Sequence, residues 1–211
     1  MSVLIHPTYF PSVAHWVVIA HHQGKLMIEA QDNYQKQTYR NRTYIYSPNG
    51  KQLLSIPIVH AKSAGHQKYN LVTMEDSFDW KKQHWKSIET AYRTSPYFEF
   101  YEDELEPFFK KKHNSLFEMN LESMELIAGC LQLEPFTYQL TSDFQPSYDS
   151  ALDKRSLVSA KTKQQYNFDP YVQVFDDKHG FIPNLSIVDL LCNEGPNTLN
   201  YLLNQDLSQI L

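Results

Sequence analysis

The first 30 residues set a short apolar run, a helical pattern and a second apolar run in series, and that order admits few folds. Residues 2–6 are apolar and end at Pro7, as a buried first strand would. Ser12 follows Pro11 as an N-cap, and Val13, Trp16, Val17 and Ala20 recur at helical spacing. Gly24 ends that helix, and residues 25–30 (KLMIEA) read as a second strand. Strand, helix, strand is the opening of an α/β unit with a parallel sheet.

A hairpin is expected next. Residues 42–46 and 52–58 are rich in β-formers and are joined by Ser-Pro-Asn-Gly, with Asn49-Gly50 as the turn signal. Gly65 marks a further turn, and residues 69–74 read as a third member of that sheet. The following half is mainly helical. Trp80, His84, Ile88 and Tyr92 form one row of a helix over residues 79–93, stopped by Pro96. A second helix covers residues 102–118, and Asn120 caps a third with Leu121, Met124, Ile127, Ala128 and Leu131 as its apolar stripe. Residues 137–170 are polar and aperiodic and read as one long loop. Residues 171–175 are strand-like, 176–180 turn, and Ser186 to Asp189 fits a capping box before a helix closed by Gly195-Pro196. A last helical segment covers residues 197–204. The expected fold class is therefore α/β, a strand–helix–strand unit plus hairpin in a mixed sheet, followed by a mainly helical half. No linker divides residues 1–211 into separate domains.

Composition narrows the function classes. Net charge is −5, which excludes a general nucleic-acid-binding surface and makes any basic site local. Cys130 and Cys192 lie far apart inside apolar helical patterns and read as core thiols in a reducing compartment. The start, MSVLIHPTYFP, has no basic n-region, and no segment approaches ~18 uninterrupted apolar residues. A cytoplasmic protein with no transmembrane segment is expected.

The densest polar feature is YQKQTYRNR, residues 34–42. As an extended strand it would put Lys36, Arg40 and Arg42 on one face and Tyr39 and Asn41 on the other. Arg40 and Arg42 would then stand roughly 6–7 Å apart, a spacing that suits a phosphate-bearing anion held by paired N–H donors. The plainer reading of the same residues is a solvated edge strand.

A second candidate is HPTYFPSVAHW, which joins the first strand to the first helix, where open α/β sheets bind ligands. Its helix N-terminus offers free N–H groups to a phosphate, with His6, Tyr9 and His15 around it. A rigid proline-shaped turn explains the same residues. His84 and His179 are candidate proton carriers, one in mid-helix and one at a turn, although either could equally bond its local surroundings. The nine histidines carry no metal-ligand spacing: His21-His22 are adjacent and His60 and His66 flank a turn. HExxH, P-loop and GxSxG are absent, and no motif names a cofactor.

The chain resembles the WbqC-like family of bacterial proteins. The likeness is carried by HPTYFP, YQKQTYRNR and NGKQLLSIPI, continues through WKKQHWKSIETAYRTSPYFEFYEDELEPFF, and ends in QVFDDKHGFIPNLSIVDLLCNEGP. It thus covers nearly the whole chain, in order. The resemblance implies a cytoplasmic protein of surface-polysaccharide and O-antigen pathways, with no settled reaction. Combined with the candidate residues, it suggests a group-transfer step on a nucleotide-linked or phosphorylated sugar. In that reading Lys36, Arg40, Asn41 and Arg42 hold the anionic part, Tyr9 and His15 line the turn, and His6, His84 or His179 moves protons. The alternative is a non-catalytic accessory that binds a sugar nucleotide or a polysaccharide-biosynthesis enzyme.

Overall fold

Val3, Leu4 and Ile5 are fully buried because the strand that carries them, β1 (Ser2–Ile5), runs down the middle of a parallel sheet. In the computed structural model, which describes residues 2–59, 67–148, 150–161 and 165–210, the chain then enters α1 (Val13–His21) and returns as β2 (Lys25–Ile28). Every α1 residue from Val13 to Ala20 is buried, so this helix is apolar nearly all round, and it packs against the C-terminal helices. The strand–helix–strand unit thus forms as its periodicity dictates.

The parallel sheet has the order β5-β2-β1-β6, where β5 is Thr137–Leu140 and β6 is Ala151–Asp153. Ile5 pairs with Ile28, Ile28 with Leu140, and Leu4 with Asp153. Both flanking strands come from residues 137–170, which the sequence marks as one long loop. Three of the four β5 residues are exposed and β6 has only three residues, so neither leaves an apolar signal. β3 (Arg42–Ser47) and β4 (Gly50–Ser55) form the expected hairpin, with Ser47 paired to Gly50 across the Pro48-Asn49 turn. The hairpin is a separate two-stranded ladder. Residues 69–74 do not join it as a strand. Tyr69–Leu71 is a single 3₁₀ turn, and Met74 makes one isolated bridge to Ile58. The expected turn at Gly65, with His60 and His66, lies outside the described residues.

α2 (Trp80–Tyr92) buries the expected row of Trp80, His84, Ile88 and Tyr92, with Asp79 accepting from the Lys82 N–H at its start. The next two helices break elsewhere than expected. α3 is Phe98–Lys110 and α4 is Leu116–Cys130, because Ser115 caps α4 through the Glu118 N–H. Asn120 therefore sits inside α4, fully buried. Residues 171–175 form no strand and lead into α5 (Asp176–His179). α6 (Ile187–Glu194) starts at Ser186, whose hydroxyl accepts from the Val188 N–H. The Asp189 carboxylate does not close the expected capping box, because it accepts instead from Tyr171 and Gln173. α7 (Thr198–Asn204) completes the helical layer. Cys192 is buried and Cys130 half-buried, and both are free thiols. Among the described residues, no helix is long and apolar enough to cross a membrane.

Gly24 shows how tightly the sheet is joined. It holds φ +65°, and a Cβ there would lie 2.8 Å from the Pro135 carbonyl oxygen in the loop before β5. Gly24→Ala should therefore cost about 1–3 kcal/mol, since both the left-handed backbone and the contact with main chain resist it. Urea midpoints of the two proteins check this, and equal midpoints would count against the packing of β5 on β2.

Candidate functional site

All four parallel strands end on one edge. The register of the ladders puts His6, Glu29 and Thr141 in one row just beyond β1, β2 and β5, with Arg155 at the matching position past β6. The crossovers from β1 run to β2 and β5 on one side, while β6 lies on the other. The sheet's switch point is therefore beside β1, and His6 stands at it.

His6 is the centre of a buried cluster. Arg40 Nη2 lies 2.7 Å from Asp32 Oδ2 and 3.0 Å from His6 Nε2, and its two hydrogens can serve both acceptors. With roles assigned from this network, the His6 proton is on Nδ1. Asp32 Oδ2 is also 3.3 Å from His6 Nε2, close enough to bond an imidazolium when one forms. Burial pushes the His6 imidazole down to about 4, against the opposing pull of Asp32, so the ring is neutral near pH 7. Asp32 is partly buried, which raises its pKa, yet His6 and Arg40 hold it below the usual carboxylate range.

The neighbouring strand ends form a second network. Glu29, fully buried, accepts from the Thr141 hydroxyl at 2.9 Å, the Gln31 N–H at 2.8 Å and Arg155 Nη1 at 3.1 Å. Arg155 also grips Asp153 through Nε and Nη2. Its guanidinium lies 5.3 Å from both the Phe144 and the Tyr148 ring centroids. Two guanidinium groups thus face three carboxylates along this edge.

Residues 34–42 do not run as an extended strand. They turn, with Gln37 at φ +63°, and only Arg42 enters β3. Lys36, Arg40 and Arg42 consequently share no face: Lys36 is exposed, Arg42 is half-buried, and Arg40 has no exposed surface at all. The Arg40 guanidinium lies 5.2 Å from the Tyr69 ring centroid, and its Nε and Nη1 have no partner among the described residues. Its backbone carbonyl accepts from Asn120 Nδ2 at 2.6 Å, and the same amide reaches the Tyr69 hydroxyl, which donates to the Pro7 carbonyl at 2.7 Å. α4 thereby fixes Arg40 against the loop after β1.

The other sequence candidates lie apart from this cluster. Tyr9 is fully buried with its hydroxyl 3.0 Å from His84 Nδ1, and burial lowers His84 to about 4. His15 faces the Ser12 hydroxyl at 3.0 Å and the edge of Tyr39, and burial takes it down to about 3. Asn41 donates to the Ile56 carbonyl. His179 is exposed, with Nε2 3.0 Å from the Pro48 carbonyl at the hairpin turn. The N-terminus of α1 is closed by protein, because the Val13 N–H donates to the Leu185 carbonyl and the Ala14 N–H to Asn184 Oδ1. It therefore offers a phosphate little. Among the described residues, no three His, Cys, Asp or Glu side chains are placed to hold a metal.

Fold and site together define an open α/β protein whose parallel-strand ends carry a histidine between a carboxylate and a guanidinium. The chain belongs to the WbqC-like protein family, whose model matches residues 6–165. It is also 26% identical, over 94% of its length and 96% of the relative's, to the uncharacterised protein Rv1507c of Mycobacterium tuberculosis (strain ATCC 25618 / H37Rv). No solved structure matches it significantly.

Proposed function

We propose that this protein acts in the cytoplasm in bacterial surface-polysaccharide biosynthesis, on a nucleotide-linked or phosphorylated sugar in a group-transfer step. The pathway rests on the family resemblance. The chemistry rests on one observation: His6 stands at the switch point of the sheet, bonded by Arg40 and beside Asp32. In this reading His6 takes a proton from the attacking hydroxyl or amine at Nε2 as Arg40 yields its bond. Asp32 stabilises the imidazolium that forms, and Arg40 keeps the resting ring neutral. Tyr9, His15, Asn41 and His84 hold the surrounding backbone and core. His179 braces the hairpin.

A second reading, a non-catalytic accessory that binds a sugar nucleotide or a biosynthetic enzyme, draws support from the full burial of Arg40 in an ion pair. Mass spectrometry of reactions with a panel of nucleotide sugars and acceptors separates the two. Turnover that falls about 10²–10⁴-fold in His6→Gln, with the fold intact, supports catalysis. Ligand retention without turnover in the unaltered protein supports the accessory reading.

A further inference from the structure

A cleft of about 420 Å³ opens one residue along the chain from the His6 cluster, walled by the Tyr39 ring, the start of β4 and the segments around Ser159, Tyr166 and Asn184. We propose that this cleft seats the sugar itself, as a monosaccharide ring carrying a single phosphate. The proposal rests on the group-transfer reading and names where its substrate binds.

Three features of the lining select that chemistry. The volume lies within the roughly 300–1,000 Å³ of small-molecule sites. Its polar groups are mostly neutral amides and hydroxyls, from Ser159, Gln165 and Asn184, of the kind that bonds a polyol, and it is also lined by the largely buried Tyr39 and by Tyr166, which stacks on Phe168. Among the described residues its only charged side chain is Lys51, and no carboxylate lines it, although the chain as a whole carries a net charge of −5. The strand-end cluster has the opposite balance, with carboxylates in excess, so the phosphate itself is better held in the cleft beside it.

Lys51 is an exposed cation at the start of β4. Among the described residues no carboxylate pairs with it, and its Nζ instead lies 4.1 Å from the Tyr44 ring centroid. Partial desolvation lowers its pKa below the ordinary lysine value, and a bound phosphate would reverse that shift. Tyr39 ties the cleft to the cluster. Its ring forms the wall, its neighbour Arg40 holds His6 and Asp32, and its edge contacts His15 at 5.8 Å between centroids.

Full-length protein with ¹³C-methylated lysines provides the test, the Lys51 signal being assigned by its loss in Lys51→Arg. A panel of hexose 1-phosphates and their uridine diphosphate conjugates should shift that signal saturably, with at least one member binding about tenfold more tightly than inorganic phosphate or free glucose. Whether the 1-phosphate or the diphosphate conjugate binds better tells the two sources of the sugar phosphate apart. A Lys51 signal that moves no more than that of Lys25, an exposed lysine at the start of β2, with every panel member overturns the proposal. The His6 imidazole resonances, followed in the same samples, separate the two levels. A response at His6 with Lys51 silent removes the cleft and leaves the group-transfer reading standing, whereas silence at both removes both.

Discussion

Replacing Arg40 with methionine should cost about 3–5 kcal/mol of folding stability, because it strips the partner from Asp32 and leaves His6 without a donor. Arg40 has no exposed surface, and its Nη2 reaches Asp32 at 2.7 Å and His6 at 3.0 Å. Lys36→Ala, by contrast, should change stability by no more than about 0.5 kcal/mol, since Lys36 is exposed. Urea unfolding of both variants near pH 7 checks the contrast. An extended cationic strand predicts equal, small effects at the two positions. Adding Asp32→Asn to Arg40→Met should recover part of the loss, since the uncompensated charge is then removed.

The second large effect belongs to Asp189 in α6. Its carboxylate is completely buried, accepts from the Tyr171 hydroxyl and from Gln173 Nε2 at 2.8 Å, and has no salt-bridge partner among the described residues. Burial raises its pKa from 3.8 to about 6 in spite of those bonds. The folded protein therefore binds this proton more tightly than the unfolded chain does. The associated stability is fully present below the unfolded value of 3.8 and is lost as pH rises through about 6. At about 1.36 kcal/mol per unit, the loss comes to about 3 kcal/mol by pH 8. Asp189→Asn keeps an acceptor oxygen for Tyr171 and removes the charge. The variant should thus be the more stable protein at pH 8 by up to about 3 kcal/mol and nearly equal to the parent at pH 4. Thermal melts across that range decide it, and an equal penalty at every pH would show that shape rather than charge matters there.

The legible parts of the chain were those where burial imposes a period. β1, α1 and β2 bury nearly every residue facing the core, so the alternation of strand and helix is written in their apolar spacing. β5 is exposed at three of four positions and β6 has three residues, so the backbone ladder that includes them has no counterpart in hydropathy. The same blind spot hid the site. His6 could be found from its place after the first strand, but Glu29 meets Arg155 across 126 residues of sequence, through strands that carry no pattern. The spacing of Arg40 and Arg42 misled for a different reason. It carries meaning only along a straight strand, and the positive φ of Gln37 and the turn through Arg40 remove that premise. Asn120 drew notice only as a capping residue. Its burial inside α4, bonded to the Arg40 carbonyl, is a long-range fact that local propensity does not record.

The measurement closest to the functional centre is the titration of His6 itself, followed by ¹⁵N-histidine NMR in the parent protein and in Asp32→Asn. A neutral, buried ring held between Asp32 and Arg40 should titrate near 4. Because Asp32 favours the charged form, its neutralisation should take the His6 value lower still, while Arg40→Lys leaves the ring beside a cation and uncharged at pH 7. A His6 ring that titrates near the ordinary 6.5 and does not respond to Asp32→Asn would contradict the cluster, and with it the assignment of the parallel-strand edge as the place where this protein does its chemistry.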